Sequence, residues 1–225
     1  MKPVEVYFET GKRKTFAVAP EWPGWSRWGK DENAALDSLL DHAPRYAAVL
    51  QSAGIPFPLP AGTDPFTIVE TLPGDATTDF GAPSSFPASD ARPIDPDEHD
   101  RLQKILQACW TAFDSAAGNA AGAQLRRGPR GGGRDLERIH QHMIDGDRSY
   151  LPRVVWKYRL DKTLDLGGQM RSLRAAVLDA LTSAVENGLP EKGPRRGTVW
   201  TPRFFARRVA WHTLDHAWEI EDRIE

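Results

Sequence analysis

Residues 200–223 read WTPRFFARRVAWHTLDHAWEIEDR, and this stretch decides the architecture of the second half of the chain. It predicts a helix running from about Thr201 to the C-terminus. With Phe205 set at zero on a helical wheel, Val209 falls at about 40°, His212 at about 340°, His216 at about 20° and Ile220 at about 60°. The two histidines therefore share an apolar stripe that should face a core. A buried imidazole needs partners for its nitrogens, because an unpaired buried polar group costs about 1–3 kcal/mol. One metal ion would satisfy both rings, and HxxxH on a helix is a recurrent metal-binding spacing. The plainer reading is two core histidines bonded to carbonyls and acids.

Working outward, a second helix starts near Asp135 and carries Ile139, Met143 and Tyr150, with Pro152 ending or kinking it. Two histidines there could supply a third ligand. With Asp135 at zero, the apolar stripe centres near 60°, with His142 at about 340° and His140 at about 140°. Periodicity does not choose between them. A further helix runs from about Gly168 to Asn187, stopped by Gly188 and Pro190. The first helix of this half opens at Asp95-Pro96-Asp97-Glu98, with Asp95 as N-cap, and continues through Leu102, Ile105, Leu106, Cys109 and Phe113. Four helices of such length suit a bundle over residues 95–225. Arg126–Arg134 (RRGPRGGGR) is a loop. Its Arg126, Arg127, Arg130 and Arg134 are candidate contacts for substrate or cofactor anions, against the reading of a solvated connection.

Residues 76–94, with their flanks, are rich in proline and read as a linker or an extended strap. Before it, Val4–Glu9 and Thr15–Ala19 predict a hairpin. A helix follows from about Glu32, capped by Asp31 and interrupted at Pro44, and Phe66–Leu72 predicts a third strand. The expected fold class is α+β: a small ββαβ domain over residues 1–75, then the helical domain. The tryptophans of Trp22–Gly29 should pack over the small sheet or form an exposed platform.

Composition narrows the function. The 225 residues hold 29 Lys plus Arg against 31 Asp plus Glu, a net charge of −2, which argues against a general nucleic-acid binder. No run approaches the ~18 apolar residues of a membrane span, and Met1–Ala19 lacks the apolar core of a signal peptide. A single cysteine, Cys109, excludes an internal disulfide and fits a reducing cytoplasm.

Trp200–Arg223, with its HxxxH followed by acids and arginine, resembles the C-terminal helix of the DinB/YfiT-like superfamily of four-helix-bundle metalloproteins. Asp135–Leu151 (DLERIHQHMIDGDRSYL) resembles that superfamily's second helix, with one histidine, an acid five residues on and a Tyr-Leu pair. The resemblance covers about residues 95–225. It implies an up-down-down-up bundle with Pro152–Leu166 as the long crossover. It also implies a three-histidine divalent metal site at His142, His212 and His216, with Asp147 and Tyr150 beside it and His140 as a neighbour only. A more limited resemblance links Ala19–Gly24 and Gly29–Leu36 to the N-terminal domain of HicB-type antitoxins, a small ββαβ unit, with nothing that carries over an antitoxin role.

Three imidazoles and an open position form the donor set of a catalytic site rather than a closed structural one, and imidazole suits Zn, Ni, Cu and Fe alike. The expectation is a metal-dependent enzyme using Zn, Ni or Fe. The resemblance adds a thiol-dependent (mycothiol-type) transferase or isomerase with a low-molecular-weight thiol as cosubstrate, or a hydrolase. The competing expectation is a noncatalytic binding or regulatory protein whose N-terminal domain contacts a partner. The expected partner is a small-molecule substrate, with no nucleic acid or membrane and with a homodimer allowed. No catalytic acid or base is assigned.

Overall fold

A computed structural model describes residues 3–62, 66–126, 133–193 and 197–225. The chain is mixed α and β and divides into two compact units, Met1–Pro93 and Ile94–Glu225. No described helix is long and apolar enough to cross a membrane.

In the first unit, β1 (Val4–Thr10) and β2 (Thr15–Val18) form the expected hairpin, closed by a Gly11 N–H to Lys14 carbonyl bond of 2.9 Å. The sequence reading lacks the next strand, β3 (Ser26–Gly29), which pairs antiparallel with β2. Its four residues are too few and too mixed for alternation to be visible, and pairing alone makes them a strand. The helix expected from Glu32 is two helices, α1 (Glu32–Asp41) and α2 (Ala43–Ser52), divided at His42. Pro44 accounts for the break, since it lacks the N–H that a continuous helix would need and its ring would clash with the carbonyl four residues back. Gly29 lets α1 lie close on the sheet: a Cβ there would sit 2.4 Å from the Ala34 carbonyl carbon. The last strand, β4 (Phe66–Pro73), runs parallel to β1, giving the order β3-β2-β1-β4. The sheet therefore has four strands, where the sequence analysis expected three.

Of the tryptophans, Trp25 is core. It stacks on Tyr46, its indole N–H donates to the Leu39 carbonyl at 2.9 Å, and the Tyr46 hydroxyl donates to the Pro23 carbonyl at 2.9 Å. Trp28 stays 46% exposed, with the Lys14 ammonium over its ring.

The Pro-rich segment is folded onto the first unit rather than spanning open solvent. It contains α3 (Ala76–Phe80), capped by Asp75, and a short 3-10 turn at Ala88–Ala91. Its anchor is Glu9 of β1, whose fully buried carboxylate accepts the Ser84 and Ser85 backbone N–H groups at 2.9 Å and the hydroxyls of Thr78 and Ser84. A carboxylate tolerates burial when several donors replace its water.

The second unit holds four long helices: α4 (Pro96–Asn119), α5 (Leu136–Tyr150), α6 (Leu166–Asn187) and α7 (Pro202–Arg223). Each has a side-chain N-cap, from Asp95, Asp135, Asp165 and Thr201 respectively. Side-chain contacts fix their directions. Glu98 in the first turn of α4 grips Arg203 in the first turn of α7 through two bonds of 2.6 Å, and Leu125 bridges Ile224 beyond the other ends, so α4 and α7 are parallel. Asp114 binds Arg174 while His99 meets Thr182, so α6 is antiparallel to α4. Tyr150 packs on Trp200 while His142 meets His212 and His216, so α5 is antiparallel to α7. With α5 and α6 pointing the same way, residues 151–165 must carry the chain back along the helices.

α7 is buried almost continuously from Arg203 to Leu214 and again at His216, Ala217, Trp218 and Ile220. It is a central helix rather than an amphipathic surface one.

Candidate metal centre

Four residues of helix rise about 6 Å and turn about 400°, so His212 and His216 stand one above the other on α7. His142 approaches from the antiparallel α5. The three rings meet edge to face, with centroids 5.2 Å apart for His142–His212, 4.8 Å for His142–His216 and 5.0 Å for His212–His216. One ligand nitrogen of each lies within 4.8 Å of the others. His140, two residues away, points elsewhere: its Nδ1 meets the Leu136 carbonyl at 2.8 Å and its ring packs on Phe113. His42 and His99 are also engaged elsewhere, His42 with the Ser38 carbonyl and His99 with Gln103 and Thr182.

The hydrogen bonds around the rings set their tautomers. His212 Nδ1 lies 3.0 Å from Asp147 Oδ1, and His216 Nδ1 lies 2.7 Å from Glu219 Oε2. A carboxylate only accepts, so both Nδ1 atoms carry the proton, and in the neutral ring it is Nε2 that presents the lone pair. His212 Nε2 faces His142 Nε2 at 3.3 Å. Two nitrogens bound at about 2.05 Å in a tetrahedral site are themselves about 3.3 Å apart. The donor set thus fits a divalent ion of the zinc type in both chemistry and spacing. Carboxylate partners on the far nitrogens are the usual support of metal-binding imidazoles.

Electrostatics favour the neutral forms of His142 and His212. Burial, then the neighbouring His216 and His212, hold His142 down to about 4. Burial also lowers His212, against the opposing pull of Asp147. The hydrogen bond from His216 holds Glu219 below the usual carboxylate range despite its partial burial. At neutral pH His142 and His212 therefore offer lone pairs with no proton to displace. Tyr150 packs on His212 with centroids 5.7 Å apart, and burial holds its phenol above the ordinary range, so it stays protonated. The Arg208 guanidinium lies over both Tyr150 and Trp211. Cys109 is fully buried in α4, where burial pushes its thiol up and leaves it unreactive.

Gly146 makes the cluster fit. It stands one turn after His142, and a Cβ there would lie 2.4 Å from His212 Cε1. In the sequence Gly146 is only a glycine inside a helix, and nothing local to it shows this need. Glu219 and Arg223 were also missed as supports, although their spacings (three residues after His216, then four more) are those of helix-face neighbours.

Of the expected arginine contacts, Arg126 is tied to the end of α7: its backbone N–H donates to the Arg223 carbonyl at 2.8 Å and its guanidinium to the Asp222 carbonyl. Arg134 is exposed, and its charge is one of the influences lowering His142. Arg127 and Arg130 lie outside the described residues. No protein-family model matches the chain, and neither a curated protein nor a solved structure does.

Proposed function

We propose that the protein is a metal-dependent enzyme of the DinB-like class, built as a small HicB-like α+β unit followed by a four-helix bundle. The observation that carries this reading is the convergence of three Nε2-type donors from α5 and α7, with the two α7 rings oriented by carboxylates. The helix directions support the class, since an up-down-down-up run with a long connection between the second and third helices is what the resemblance implies. His142, His212 and His216 would hold the ion. A divalent metal there supplies a Lewis acid that lowers the pKa of a water or a thiol. Asp147 and Glu219 keep the α7 imidazoles in the ligating tautomer. The rings of Tyr150 and Trp211 lie beside the buried His212 ring. A low-molecular-weight thiol is the proposed cosubstrate, and a transferase or isomerase the proposed reaction type.

The test is metal binding, measured by elemental analysis and by titration with Co(II), whose visible bands report coordination. Stoichiometric binding is expected, with His216→Ala losing most of it and His140→Ala retaining it. A thiol added to the Co(II) protein should shift its bands. A wild-type protein that takes up neither Zn(II) nor Co(II) overturns the metal reading and leaves a noncatalytic binding protein. Binding that is blind to thiols leaves the hydrolase form.

A further inference from the structure

The two α7 ligands are supported unequally. Asp147, which orients His212, is buried. Glu219, which orients His216, has a side chain 29% exposed, and its second oxygen is held by Arg223 Nη1 at 2.5 Å. Arg223 itself is buried, and its other two nitrogens are also engaged. Nε donates to the Arg126 carbonyl at 2.8 Å, and Nη2 donates to the Arg134 carbonyl at 3.0 Å. One guanidinium thus joins the carboxylate behind a ligating histidine to two backbone carbonyls of the connection between α4 and α5, at Arg126 and Arg134. Arginine suits this place because its planar fork fixes three acceptors at once, which an ammonium cannot do.

The geometry points to Arg223 as a positioning residue for the metal centre: it orients His216 through Glu219 and ties the stance of that ligand to the backbone at Arg126 and Arg134. This rests on the metal reading above only for its consequence. The effect on the His216 ring belongs to the metal-free protein as well. Without Arg223, the partly exposed Glu219 side chain gains rotamer freedom beside the buried His216 ring. His216 then populates the tautomer with its proton on Nε2, and that form presents no Nε2 lone pair to the cluster. His212, held by Asp147, should not respond.

The experiment is nitrogen-15 NMR of the histidine rings in the full metal-free chain at pH 8, paired with Co(II) titration. Arg223→Met should raise the Nε2–H population of His216 and leave His212 unchanged. Co(II) affinity should fall roughly tenfold to hundredfold, the usual cost of losing a partner behind a ligand. In a Glu219→Ala background, Arg223→Met should add little further loss, because the arginine acts through the glutamate. Arg223→Lys keeps the charge without the fork and should fall between the two; it also serves if Arg223→Met does not fold. An unchanged His216 tautomer in both Arg223 variants overturns the proposal, as does full additivity of the two losses. If the wild-type chain binds no Co(II) while Arg223→Met still changes the His216 tautomer, the metal reading fails and the positioning role stands.

Discussion

At the scale of single residues, Gly146 shows how the site is cleared rather than filled. Glycine inside a helix costs about 1 kcal/mol relative to alanine, so its presence in α5 asks for a reason. The reason is the 2.4 Å approach that a Cβ would make to the His212 ring. Gly146→Ala therefore sets two effects against each other. Helix propensity improves, but the His212 ring must tilt away from Asp147 and His142. Circular dichroism should show α5 intact, while Co(II) affinity drops by at least tenfold. Wild-type affinity in this variant would mean that the ring has room the packing does not suggest. Glycine is readable as an anomaly in the sequence, but its neighbour lies 66 positions away on another helix, so its purpose is not.

Among the elements, the strap and α7 are where composition misleads. Five prolines in residues 73–96 describe a segment that forms little regular structure, and an open linker is the natural inference. The most deeply buried of the groups that hold it down is one acid in β1, Glu9, whose alternation with apolar neighbours would otherwise place it at a solvent face. Its partners are two backbone N–H groups and two hydroxyls contributed by residues 78–85. Glu9→Ala strands those donors and should lower the stability of the first unit by about 2–3 kcal/mol. Limited proteolysis should then cut within residues 76–93 long before it cuts the wild type. Equal resistance would show that the other ties, among them the Tyr7 hydroxyl to the Ser85 carbonyl and the Lys14 ammonium to the Phe80 carbonyl, suffice to hold the strap. α7 errs in the opposite direction. Its wheel has an apolar stripe, but the helix is buried almost all round, with Arg203 and Arg207 among the buried residues. Arginine reads as surface in a sequence, whereas here the Glu98 carboxylate on α4 meets Arg203 inside the fold.

For the whole molecule, the two units each have their own core: Trp25, Tyr46 and the sheet in one, and the helices around α7 in the other. Residues 94–225 expressed alone should therefore fold, with a helical circular dichroism spectrum and a cooperative melt. They should also bind Co(II) as tightly as the full chain, since His142, His212, His216, Asp147 and Glu219 all belong to the second unit. A molten or unfolded product would show that the helices draw on the first unit for their core. A folded product with weakened metal binding would assign the first unit a part in the site.

Helix starts, the hairpin and the HxxxH pair were legible in the sequence because each depends on residues within a few positions of one another. Asp95-Pro96 and Asp135 cap whatever follows them, and a spacing of four puts His212 and His216 on one face in any helix. Tertiary structure alone decided the rest. The pairing of β3 depends on β2 being beside it. The burial of Glu9 depends on a strap some 70 residues later. Periodicity left His140 and His142 equal, and only the packing of α5 against α7 sends one ring to the cluster and the other to Phe113. Local rules fix which way a side chain leaves its helix. What it meets there is set by the neighbouring element, and no short window of sequence contains both.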